Sequence, residues 1–128
     1  MDLTIFLAQI MGVYFLVTGV GALLNPERTR RAMNEVGKSY VLPYFDGALA
    51  LVVGLLIVLT HNVWDSLLTG VVSAVGWLSL AEGVLMMLLP QASIVGFMKH
   101  FNTKSAITGF SIVAIVVGAY LTYISFIA

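Results

Sequence analysis

The sequence predicts an all-α membrane protein, a polytopic four-helix bundle built from two parallel two-helix repeats. Three observations carry this. The 128-residue chain is 60% hydrophobic and only 9% charged, whereas a soluble domain carries roughly 25% charged residues. Four uninterrupted apolar runs are each long enough to cross the roughly 30 Å hydrocarbon layer. The chain also aligns with itself, without gaps, at an offset of 64 positions. A soluble domain of this length buries only about two-thirds of its surface, so water offers no place for this much apolar side chain. A soluble enzyme, a nucleic-acid binder and a disordered chain are excluded. Continuous apolarity without strand-like alternation argues against a β-barrel. There is no cysteine, hence no disulfide, thiolate metal site or cysteine nucleophile.

The first run extends from Leu3 to Leu24 and stops at Asn25-Pro26. It lacks a basic leader and a small-residue cleavage site and is longer than the apolar core of a secretory signal, so it is expected to stay in the mature protein. In the connection that follows, Asn25 is placed to cap a short helix, Pro26 to open it and Gly37 to close it. Ala32, Met33 and Val36 are expected on the membrane interface, with the charges in water. The second span begins near Pro43, a residue suited to a first helical turn, and continues to Thr60. Only His61-Asn62-Val63 separates it from the third span, which is expected from about Trp64 to Leu89, stopping at Pro90. The last span covers about Ser105 to Ala128.

Charge placement predicts an orientation. All six basic residues, Arg28, Arg30, Arg31, Lys38, Lys99 and Lys104, fall on the first and third connections. The positive-inside rule therefore sets those connections in the cytoplasm, with both termini and the His61 turn outside.

The self-alignment divides a single membrane domain, residues 1–128, into repeats 1–64 and 65–128. Gly12, Leu16, Gly19, Val20, Leu24 and Pro26 fall on Gly76, Leu80, Gly83, Val84, Leu88 and Pro90, and Ala50, Val52, Val53 and Gly54 fall on Ala114, Val116, Val117 and Gly118. Two spans per half, an even number, means that the halves share an orientation. Small residues repeat within each span as well: Gly12 and Gly19, Gly47 and Gly54, Gly76 and Gly83, Ser111 and Gly118 are each seven apart. Seven residues is two turns, so each pair forms a flat strip. Lipid gives helices no hydrophobic reason to associate, and close approach through small residues replaces that drive. These eight positions are the expected helix-packing residues.

Polar side chains within the spans are few. Glu82 lies about seven residues, roughly 10 Å, inside the Pro90 end of span three. An ionised acid near the bilayer centre costs on the order of 2.5–3.5 kcal/mol, so Glu82 requires a protein partner or a proton. One reading is a proton or cation site; the other is a structural acid bonded to a neighbouring helix. Its repeat-mate Thr18 is positioned to supply a hydroxyl, and Asp46, one turn into span two, either shares a cytoplasm-facing vestibule with Glu82 or is stabilised by the helix dipole. Arg28, Arg30 and Arg31 are candidate contacts for anionic lipid headgroups, or else serve topology alone. His61 and His100 fall on opposite sides and share no metal site. His61, Asn62 and Trp64 are expected to form a capped interfacial turn, and Tyr14 and Trp77 to hydrogen-bond inside the bundle, to Thr or Ser for instance. No HExxH, nucleophile elbow, phosphate loop or metal-ligand pair is present. Neither cofactor nor metal is expected.

His61-Asn62-Val63-Trp64, Gly76-Trp77-Leu78, Gly83 and Pro90 resemble a pattern in small four-span inner-membrane proteins of bacteria. The Gly-rich span, proline and basic loop of each half more distantly resemble the DoxX-like family. The resemblance implies the same fold and membrane position along most of the chain. Some DoxX-like proteins are associated with quinone-linked redox complexes, but no residue here matches a cofactor ligand for that role. The functional expectation is a non-enzymatic accessory, interaction or lipid-contacting subunit of the inner membrane. Its partners would be membrane lipid, a membrane protein or a second copy, and not nucleic acid. The alternative is a small proton- or cation-coupled transporter or channel using Glu82 and Asp46.

Overall fold

The computed structural model describes residues 3–127. These form six helices: α1 Leu3–Leu24, α2 Pro26–Lys38, α3 Val41–Thr60, α4 Leu67–Leu88, α5 Gln91–Phe101 and α6 Lys104–Ile127. No strand occurs among the described residues. Helices α1, α3, α4 and α6 are long and apolar enough to cross a membrane, with mean hydropathies of 1.8 to 2.2. Only 22–28% of the apolar 18-residue stretch of each is buried within the protein. The rest is apolar surface of the kind that lipid or other helices cover.

Local chemistry explains the boundaries, several of which differ from the sequence reading. Asn25 does not cap α2: its side-chain amide donates back to Gly21 O on α1, and α2 opens on Pro26 alone. Gly37 does not close α2 either. It lies inside the last turn, and no described glycine has positive φ. Helix α3 starts two residues before Pro43, which falls third in the helix, where its missing N–H is still not needed. Ser39 Oγ accepts from Leu42 N–H at 3.1 Å and supplies that start with a partner. Helix α4 starts at Leu67, later than Trp64, because Ser66 and Thr69 form a capping box. Pro90 ends α4 but also opens α5, its carbonyl accepting from Ser93 and Ile94. Helix α5 was not expected from the apolar runs. Thr103 caps α6 through Ala106 N–H at 3.1 Å.

The helices group into two compact units, divided between Met33 and Asn34 and between Lys99 and His100. One is built on α1 packed against α6, the other on α3 packed against α4. Each unit thus takes one span from each half of the sequence.

Both pairs are antiparallel and meet through the small residues. In the α3·α4 pair, a Cβ added at Gly54 would lie 2.6 Å from Leu80 Cα, and one at Gly83 2.6 Å from Leu51 Cα. Gly47 faces Met86 and Met87, and Gly76 faces Ile57. In the α1·α6 pair, Gly118 lies against Leu16 and Gly12, Gly19 against Ser111 O and Ile115, and Gly12 against Thr122. The two seams share one register. Moving 64 positions forward from α1 to α4, and 64 back from α6 to α3, turns Gly19–Ile115 into Gly83–Leu51 and Leu16–Gly118 into Leu80–Gly54.

Candidate functional site

Within the α3·α4 unit, Asp46 on α3 is the neighbouring acid that acts on the carboxyl of Glu82 on α4. Each precedes a seam glycine, Gly47 or Gly83. On antiparallel helices that face each other through those glycines, the preceding residues fall on the same flank of the seam. Both residues are exposed. Neighbouring carboxylates repel; one proton held between them, or one bound cation, turns that repulsion into attraction. A little further along the same pair, Ser79 Oγ donates to Ala50 O at 2.9 Å, an inter-helix bond at the depth of the apolar span.

Thr18 does not join this pair. It belongs to the α1·α6 unit, and its hydroxyl donates to Tyr14 O at 2.8 Å, one turn back on its own helix. A mid-helix threonine finds that carbonyl without leaving its rotamer well, so its one proton is already used.

Arg30 and Arg31 both pair with Glu27, at 3.8 Å and 3.5 Å, across one turn of α2. Arg28 forms no ion pair among the described residues. Met33 and Val36 are half-buried against the protein itself, and Ala32 is exposed. All eight small packing positions, Ser111 included, are buried.

The most developed polar network lies in the turn between α3 and α4. Ser73 Oγ, fully buried on α4, donates to Val63 O at 2.7 Å and accepts from Val63 N–H at 3.1 Å. Its only proton is committed there. The contact with His61 Nδ1 at 3.0 Å is therefore one in which the imidazole donates, which assigns the proton to Nδ1. Beside it, Asn62 Oδ1 accepts from both indoles, Trp64 Nε1 at 2.7 Å and Trp77 Nε1 at 3.2 Å. The capped turn expected from His61, Asn62 and Trp64 forms, but Trp77 finds Asn62 and not a mid-span Thr or Ser. Tyr14 is exposed and meets Phe15 edge-on.

Ser73 was missed in the sequence, although a signal was there. Ser73, Gly76, Leu80 and Gly83 follow helical spacing on one face, so the serine extends the small-residue strip toward the turn. Helix α5 had a signal too. Ile94, Met98 and Phe101 recur at three- and four-residue intervals, and all three are buried or half-buried.

Among the described residues, no cluster of three or more His, Asp or Glu side chains could hold a metal ion. No protein-family model, curated protein or solved structure matches the chain.

Proposed function

We propose that this chain is a multi-pass protein of a bacterial inner membrane that works by contact with other membrane components and not by turning over a substrate. Its basic connections face the cytoplasm, its termini face outward, and its two halves, 1–64 and 65–128, are parallel repeats that contribute one helix each to every pair. The common register of the two glycine seams supports the repeat, and the six-to-none distribution of basic residues supports the orientation.

The observation that carries the functional reading is the position of Asp46 and Glu82. The seams are closed by small residues and need no acid. The two carboxyls stand on the exposed flank of an otherwise apolar pair, where bare lipid costs several kcal/mol per charge. A polar group so placed is suited to receive a donor from another helix, the commonest use of polar side chains between membrane helices. The chain is thus an accessory or interaction subunit whose docking flank is marked by this pair.

Affinity purification of the tagged full chain in mild detergent tests this. A defined membrane partner, identified with the wild type, should be retained by Gly21→Leu, since Gly21 has open space around it. It should be lost from the double variant Asp46→Leu/Glu82→Leu. Equal recovery from both variants would remove the acid pair from the interface.

One observation favours a second reading. Two neighbouring carboxyls on paired helices are also a minimal proton- or cation-coupling site, which makes a small transporter or channel the alternative.

A further inference from the structure

The polar end of the α1·α6 pair gathers charge from two connections. Because Gly19 faces Ser111 and Ile115, the end of α1 lies level with the start of α6. Arg28, Arg30 and Arg31 on the first turns of α2 and Lys104 at the start of α6 therefore occupy one end of this unit. Asn102 ties the two segments, its side-chain amide donating to Arg30 O at 3.4 Å. Four cations against the single carboxylate of Glu27 leave a net charge of three positive. Glu27 engages Arg30 and Arg31, and neither Arg28 nor Lys104 forms an ion pair among the described residues.

Immediately inward along the same helices the surface turns apolar. Leu24 is 73% exposed and Phe110 60% exposed, the latter's ring set against Phe101 at 5.7 Å. Cations followed within about two turns by bare aliphatic and aromatic surface match a ligand that is anionic at one end and apolar at the other. A soluble anion uses the first feature and gains nothing from the second.

We propose that this end of the α1·α6 pair binds an anionic phospholipid, with Arg28 and Lys104 on its phosphate and Leu24 and Phe110 along its acyl chains. The proposal rests on the membrane reading above. Glu27 has a positioning role: it holds Arg30 and Arg31 one turn along α2 and leaves Arg28 as the cation of the three without an ion pair among the described residues. Each cation near the surface is worth about fivefold in affinity for an anionic lipid, and part of that is screened by salt.

The full chain in nanodiscs of equimolar phosphatidylglycerol and phosphatidylcholine, with retained lipid read by native mass spectrometry, tests the site. Phosphatidylglycerol should be retained in several-fold excess. Arg28→Gln and Lys104→Gln should each lower that excess, by up to about fivefold, whereas Lys38→Gln, at the far end of α2, should preserve most of it. Millimolar inorganic phosphate should not displace the lipid. Equal retention of both lipids, an equal loss with Lys38→Gln, or displacement by phosphate would each overturn the proposal. A chain that does not enter nanodiscs at all would instead count against the membrane reading.

Discussion

Gly83 lies backbone to backbone against Leu51, and any side chain at position 83 would have to displace the α3 main chain. Gly54 stands in the same relation to Leu80. Neither contact yields by rotating a flexible side-chain end, because what blocks it is backbone. Gly83→Leu and Gly54→Leu should therefore each cost about 1–3 kcal/mol or more, as overpacking does, and lower the melting temperature in detergent clearly. Gly21→Leu, with nothing in range, should melt like the wild type. Unchanged melting of both seam variants would remove the packing argument.

Ser73 closes the turn between α3 and α4 with a single oxygen. Ser73→Ala leaves the Val63 N–H and C=O and the His61 Nδ1–H without that partner. Ser73 and His61 are buried although Val63 is exposed, and unsatisfied buried groups cost about 1–3 kcal/mol. Thermal melting should show the loss, and amide exchange at Val63 should accelerate. A turn held by connection length alone would show neither effect.

The main features of this fold were legible because long apolar helices follow simple rules. Span lengths, the proline stops and the small-residue strips each follow from one physical requirement, and α1 matches its expected bounds of Leu3 to Leu24. What the sequence left unread depends on competing local partners. Asn25 had two neighbours to choose from and bonded backward to Gly21 O. Pro90 reads as a stop, yet its carbonyl serves as the first acceptor of α5. For the site, the acids Asp46 and Glu82 were visible, but which helices pair was not. Repeat arithmetic matched Glu82 with Thr18, whereas the acid that acts on Glu82 is Asp46, on the paired helix α3. The Ser73 and Asn62 network depends on three-dimensional convergence that single positions do not show.

Asn62 orients two tryptophans at once, since one carbonyl oxygen accepts from both indoles. Asn62→Leu removes both bonds and should shift and broaden the tryptophan emission, with Trp64 and Trp77 the only contributors. The stability change should be small, about 1 kcal/mol, because both rings are partly exposed and water can replace the acceptor. An unaltered spectrum would mean that Asn62 does not hold the indoles.

Orientation is open to direct labelling. Single cysteines at Lys38 and Asp65, both exposed positions in a chain without native cysteine, report the two sides of the membrane. On intact cells an impermeant thiol reagent should modify position 65 and not 38, because every basic residue lies with position 38. Labelling at 38 alone would invert the topology.

Proton or cation flux through proteoliposomes containing the purified chain separates a contact subunit from a transporter most directly. Glu82→Gln keeps the shape and hydrogen-bonding capacity of the side chain but removes the group that can exchange a proton with Asp46. A contact subunit gives flux no greater than empty liposomes, in the wild type and in Glu82→Gln alike, with both forms melting within about 1–2 kcal/mol of each other. Flux carried by the wild type and abolished by Glu82→Gln, in a chain that still folds, would contradict the contact role and establish the acid pair as a transport site.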